Sequence, residues 1–191
     1  RAISLEIIET YAKYGRIVVC EKLQGYQLLS SAYLDRYSSF VDAFSAMKAR
    51  GLERLVLLFS RDNESSATYH SALLAYHDVY GQQSNPHMVF GNIHDFNDGL
   101  NLSYQLIKDV RIDGVLATSD EVAAGLMKGY EESGKKCPYI IGQENLLVGQ
   151  LLKLPTIDHK SYSLGKLAFK QALSESISQE VLISEFLSQD N

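Results

Sequence analysis

Two clusters of polar side chains with the means to do chemistry stand at matching places in the chain. Residues 114–145 read GVLATSDEVAAGLMKGYEESGKKCPYIIGQEN. The apolar run Val115–Ala117 stops at Thr118-Ser119-Asp120-Glu121. The run Tyr139–Ile141 stops, after Gly142, at Gln143-Glu144-Asn145. Carboxylates, amides and hydroxyls gathered at strand ends can donate to and accept from a polar ligand. Thr118-Ser119-Asp120-Glu121 also fits a capping box, with Thr118 as N-cap and Glu121 reaching back. That local role does not account for the second cluster, and together the two read as the rim of a binding crevice.

The elements that position these clusters follow from apolar periodicity. Short β-rich runs occur at Ile17–Cys20, Leu55–Phe59, Met88–Phe90, Val115–Ala117, Tyr139–Ile141, Thr156–Asp158 and Val181–Phe186. Between them the spacing turns helical. Faces are formed by Phe40, Val41, Phe44 and Met47, by Tyr69, Leu73, Tyr76 and Tyr80, and by Phe96, Leu100, Tyr104 and Ile107. Val122, Leu126 and Tyr130 form a fourth, and Leu164, Leu167 and Ala168 a fifth. Strands apolar on both faces, alternating with helices, predict an open, doubly wound parallel α/β sheet. In such sheets ligands bind beyond the carboxyl ends of the strands, beside helix N-termini.

Composition bounds the rest. The chain has 191 residues, 46% hydrophobic and 21% charged, and a formal net charge of −5. That suffices for one sizeable core or two small lobes, and gives no dominant surface for nucleic acid or membrane. Basic residues are not interleaved with aromatics. No apolar run approaches the ~18 residues of a membrane span. Cys20 and Cys137 lie far apart and form no disulfide framework, so a reducing cytoplasm is the expected compartment. The chain begins with Arg1 rather than Met and is expected to be a fragment or a processed product.

Catalytic patterns are missing from the sequence: there is no GxxxxGK[ST], GxGxxG or GxSxG. The five histidines show neither HxxxH nor HExxH spacing, so neither metal nor cofactor is expected. Gly125 and Gly129, spaced GxxxG, read as a close helix contact. A small hydrolase using Asp35 or Asp120 lacks any nucleophile–base motif. The reading is of a binding protein, not an enzyme.

At this point the residues resemble a family. The stretch 114–145 is similar to the matching part of LacI/GalR-type bacterial transcriptional repressors. The similarity continues in LLKLPTIDHKSYSLGKLAFKQAL and begins upstream in YLDRYSSFVDAFSAMKARGLERLVLLF. It covers about Tyr11 to Leu187, and Asp35-Arg36-Tyr37 looks closest to the galactose-repressor branch. The resemblance implies an effector domain akin to periplasmic sugar-binding proteins, with two Rossmann-like lobes joined by three crossings. It implies truncation at the N-terminus: a remnant N-terminal lobe over residues 1–52 and a C-terminal lobe over 53–155. Residues 156–191 then hold a crossover helix returning to the N-terminal lobe and a final strand.

Matched position by position, the family's effector-binding residues fall on Ser66 and His70, on Ser119 and Asp120, and on Glu144 and His159. Asp35 matches a polar residue of the other lobe, and a stacking aromatic falls at His94 or Phe96. Ser119 replaces the family's Asn, Glu144 its Asp, His70 its Arg and His159 its Gln. These departures keep a polar site and leave the ligand's identity open between a neutral sugar and a sugar phosphate. Lobe closure around such a ligand turns binding into a signal.

The resemblance also implies a homodimer in which operator DNA is contacted only through a helix-turn-helix headpiece that nothing in this sequence matches. Leu146, Leu147 and Leu151 in NLLVGQLLKLP, flanked by Val122, are the expected interface. A stand-alone periplasmic-type sugar-binding protein is the alternative.

Overall fold

A computed structural model describes residues 4–26, 28–61 and 66–188. The chain divides into two compact units. Unit 1 is Arg1–Asp35 with Lys160–Ser184, and unit 2 is Arg36–His159 with Glu185–Asn191. The chain passes between units after Asp35, His159 and Ser184.

Unit 2 is built on strands β3 (Leu55–Leu58), β4 (Met88–Phe90), β5 (Gly114–Leu116), β6 (Tyr139–Gln143), β7 (Thr156–Asp158) and β9 (Glu185–Leu187). Their order is β4-β3-β5-β6-β7-β9, parallel throughout except that β9 runs antiparallel to β7. The chain starts at β3, adds β4 on one side, then crosses back to add β5, β6 and β7 on the other. This flavodoxin-like order has its switch point between β3 and β5.

The helices are α2 (Tyr37–Ala49), α3 (Ala67–Tyr80), α4 (Phe96–Leu106), α5 (Asp120–Glu132) and the short α6 (Leu147–Leu152). Each central strand feeds two cores by alternation of its side chains. Leu55 and Leu57, with Leu116 and Ile141, join Phe40, Phe44, Met47 and Tyr76 of α2 and α3. Val56 and Leu58, with Val115 and Ile140, join Leu102 and Leu106 of α4 and Val122, Leu126 and Tyr130 of α5. Burial on both faces is why these strands are apolar throughout.

Helices α4 and α5 meet through small residues. A Cβ on Gly99 would overlap the Val122 carbonyl, one on Gly125 the Phe96 carbonyl, and one on Gly129 the Ser103 hydroxyl. The contact face of α4 is therefore Gly99, Leu102, Ser103 and Leu106. The expected face was rotated: Phe96 and Tyr104 are exposed. Close backbone approach, not side-chain bulk, sets the face here. Val122 is likewise no interface residue, because its side chain is wholly buried in the α4/α5 core.

Unit 1 contains α1 (Leu5–Glu9), a 3₁₀ turn (Ala12–Tyr14), β1 (Val18–Val19), β2 (Ser30–Asp35), α7 (Ser161–Ala172) and β8 (Gln179–Ile183). Its three strands are parallel in the order β1-β2-β8. Strand β2 escaped the sequence reading because it opens on Ser30 and Ser31, both fully buried. Ser31 Oγ donates to the Glu21 carbonyl and Ser30 Oγ accepts from Ser178 N–H, so the hydroxyls are paired inside. The buried amide of Gln171 on α7 donates to the Ser31 carbonyl at 3.1 Å.

The unit boundaries differ from the expected 52 and 155. Helix α2 packs Phe40, Phe44 and Met47 into unit 2, which moves the first boundary back to Asp35. Strand β7 pairs with β6 in the large sheet, which moves the second forward to His159. The single strand expected over Val181–Phe186 is two. It breaks at Ser184, β8 pairing with β2 in unit 1 and β9 with β7 in unit 2.

Candidate functional site

Beyond the carboxyl ends of β3, β5, β6 and β7, unit 2 forms a pocket of about 260 Å³. Leu58, Phe59 and Ser60 reach it from β3, Thr118 and Ser119 from β5, Gln143 and Glu144 from β6, and His159 from β7. Ser66 and Thr68 at the start of α3, and Arg36 ahead of α2, complete the described wall. The pocket sits at the switch point of the sheet, where strand order makes neighbouring βα connections diverge.

Ser66 and Ser119 are the N-caps of α3 and α5. Their oxygens accept from Tyr69 N–H at 3.5 Å and Val122 N–H at 3.2 Å. The cap of α5 is therefore Ser119, not Thr118, and no capping box forms with Glu121. Thr118 Oγ1 is instead buried without a hydrogen-bond partner among the described residues.

His159 and Gln143 are each about 3% exposed, and His159 Nε2 lies 2.9 Å from Gln143 Oε1. Gln143 Nε2 donates to the Ala117 carbonyl at 2.6 Å. A carbonyl only accepts, so the amide nitrogen faces Ala117 and the amide oxygen faces His159. The imidazole must then donate from Nε2, which leaves Nδ1 the acceptor of a neutral ring. Burial pushes the His159 pKa down to about 4, helped by the Arg36 charge and opposed by Asp158. Burial also lowers Arg36, against the raising effect of Glu144. Phe40 meets the His159 ring edge-on at 6.3 Å.

Glu144 is presented by a turn with two consecutive left-handed residues, Glu144 at φ +88° and Asn145 at φ +52°. Each such non-glycine residue costs about 1–3 kcal/mol and persists only where surroundings enforce it. Here Glu144 N–H donates to the Ile157 carbonyl at 2.8 Å, Asn145 N–H to Thr156 Oγ1 at 3.4 Å and Leu146 N–H to Asp120 Oδ2 at 2.6 Å. Asp120 Oδ1 accepts from the Thr156 hydroxyl at 2.7 Å.

The expected site residues thus separate. Ser66, Ser119, Glu144 and His159 line one pocket. Asp120 does not. It is fully buried, with both oxygens engaged by Thr156 and Leu146. His70 is exposed, one turn beyond Ser66, and its ring rests edge-on to Tyr69 at 6.0 Å, away from the pocket lining. His94 is exposed in the loop before α4, where its N–H donates to Asp98 at 2.8 Å. Asp35 ends β2 in unit 1. Arg36 was missed; Thr118 and Gln143 stood in the two clusters read as the crevice rim but not among the residues assigned to the ligand, although each adjoins one, in Thr118-Ser119 and Gln143-Glu144. Both members of Thr118-Ser119 and of Gln143-Glu144 line the pocket, so naming one residue of each pair left out its neighbour.

Among the described residues, no group of three or more His, Cys, Asp or Glu is placed to hold a metal ion. No described helix is long and apolar enough to cross a membrane.

Comparison with known proteins matches this architecture. The chain superposes on a LacI family transcriptional regulator from Enterococcus faecium with bound ribose at a TM-score of 0.79. The two are 22% identical, over 97% of this chain and 74% of that one. A LacI family regulator from Lactobacillus casei with bound sucrose gives 0.81 at 20% identity, over 96% and 74%. The fold is that of LacI-family regulators. It is the periplasmic-binding-protein-like α/β arrangement of parallel sheets. In sequence, the chain is 28% identical over 176 residues to catabolite control protein B of Bacillus subtilis, covering 92% of this chain. The chain spans 56% of that relative's length. No protein-family model matches.

The neutral His159 gives this pocket a pH dependence of definite sign. Its folded pKa, about 4, lies below the ordinary 6.5, so the unfolded chain binds the extra proton first. The stability this confers is complete above pH 6.5 and is lost as pH falls towards 4, by at most about 3 kcal/mol. Asp120, raised by burial, acts in the opposite sense. Urea unfolding of the wild type and His159→Gln should show a stability difference that shrinks from pH 7 to pH 4. A difference independent of pH would mean the imidazole is not held neutral.

Proposed function

We propose that this chain is the effector-binding region of a LacI/GalR-type transcriptional regulator, and that its effector is a sugar. The observation that carries the reading is the pocket at the switch point of unit 2. Its wall combines a carboxylate (Glu144), a guanidinium (Arg36), an amide–imidazole pair (Gln143, His159) and the hydroxyls of Ser60, Ser66, Thr68, Thr118 and Ser119. Sugar hydroxyls both donate and accept, and such a mixed wall meets both demands. Phe59 and Leu58 provide apolar surface for the ring carbons. At about 260 Å³ the pocket lies just below the ~300–1,000 Å³ usual for small-ligand sites, which suits a single-ring ligand. The solved regulators of this fold carry ribose in one case and sucrose in another.

The region acts by binding rather than catalysis, in the cytoplasm, and takes no cofactor. Operator DNA is read by a helix-turn-helix headpiece outside these residues, placed in the major groove of a palindromic site. Calorimetry of the intact protein with ribose, glucose, sucrose and glucose 6-phosphate tests the reading. At least one should bind, and Gln143→Ala and Glu144→Ala should each weaken it about tenfold or more, the cost of a lost charge-assisted or buried hydrogen bond. Silence across the panel, or unchanged affinity in both variants, would contradict it.

A homodimer is part of the same proposal. Helix α6 leaves Leu147 and Leu151 about 70% and 74% exposed, with Leu152 beside them. A two-fold axis through this helix would cover the patch with its own copy. Sedimentation equilibrium should give a dimer at tens of micromolar for the wild type and a folded monomer for Leu147→Glu/Leu151→Glu. A double variant that dimerises as tightly as the wild type would place the interface elsewhere.

A further inference from the structure

Unit 2 holds a second and larger cavity, of about 800 Å³, at the opposite end of the sheet. Asp113 and Pro138-Tyr139, at the amino ends of β5 and β6, form part of its wall. Its floor is apolar, made by Leu52, Ile107 and Ile112 with the rings of Tyr130 and Tyr139. Val110, on the rim, is 86% exposed.

The charges around this floor are unbalanced. Arg50, Arg111, Lys135 and Lys136 face only Asp109 and Asp113, a surplus of two positive charges on a chain whose net charge is −5. Both carboxylates are already engaged. Asp109 takes Nε and Nη2 of Arg111 at 2.8 Å each and Nε2 of His87 at 2.8 Å. The Arg111 and His87 contacts hold it well below the usual carboxylate range. Asp113 accepts the backbone N–H groups of Glu53 and Arg54 at 2.9 Å each. The Arg50 guanidinium lies 4.6 Å over the Tyr139 ring, fixing one cation against the floor. Lys135 and Lys136 are exposed and join no ion pair among the described residues.

We propose that this cavity is a second ligand site, distinct from the sugar pocket, for a small organic anion with an apolar body and a carboxylate head. The body lies against Leu52, Ile107 and Val110, and the head meets the ammonium groups of Lys135 and Lys136. A point charge on a flexible stem suits a carboxylate that must be reached from the rim. The apolar floor excludes a purely polar anion from using the cavity's depth. The site stands on its own residues and does not depend on which ligand the sugar pocket takes.

The test uses benzoate and hexanoate against benzamide and hexanamide, amides of similar shape without the charge. Calorimetry of the intact protein at low salt should show each carboxylate binding at least tenfold more tightly than its amide. Lys135→Ala/Lys136→Ala, both at exposed positions, should erase that difference. Cys137 lines the cavity, so saturating benzoate should slow its alkylation by iodoacetamide several-fold, read by peptide mass. Three results overturn the proposal: acid and amide binding alike, affinity unchanged in the double variant, or neither heat nor protection of Cys137.

Discussion

The carboxyl end of the large sheet depends on one buried carboxylate. Asp120 opens α5, is fully buried, and accepts Leu146 N–H and the Thr156 hydroxyl. Burial pushes its pKa up and the two hydrogen bonds pull it back. Through it the start of α5 is tied to the start of α6 and to β7. Gly142 and Gly149 have no choice of residue here, since a Cβ on either would overlap the carboxylate. With Leu146 held, the chain between β6 and α6 must pass through two left-handed residues, and that passage presents Glu144 to the pocket. The cost of burying a charge without a cation is offset by hydrogen bonds in a closed setting. Breaking it would leave two donors unmet.

The fold was largely legible because its strands are short, apolar and separated by helical spacing. Leu55–Leu58 can only be a strand buried on both faces, and Phe40, Phe44 and Met47 can only be one helix face. What escaped was structure made by polar or small residues. Strand β2 begins with buried serines that pair with backbone, so its sequence looks like a turn. Helix α4 docks by Gly99 and Ser103, so its larger side chains misled the assignment of its face. Both failures share a cause: close approach and internal hydrogen bonding leave no hydrophobic periodicity to read.

The site was legible as segments but not as side chains. The clusters at the ends of β5 and β6 do converge, with His159, on one pocket. Yet Asp120, the most conspicuous acid, is structural, while Thr118 and Gln143 join the chosen Ser119 and Glu144 in the wall. Only the hydrogen bonds to Thr156 and Leu146 show that the acid is turned away from the pocket. His70 and His94, chosen by resemblance alone, face solvent. The resulting pocket gathers five hydroxyls and one amide around a neutral imidazole.

Asp120 holds the turn that builds the pocket. Hydrogen exchange and urea unfolding of Asp120→Ala against the wild type measure this directly. Two buried donors left unmet should lower stability by about 2–4 kcal/mol, and the amides of Glu144, Asn145 and Leu146 should exchange at least tenfold faster than those of β3. A variant within about 0.5 kcal/mol of the wild type, with those amides still protected, would show that the turn stands without the carboxylate.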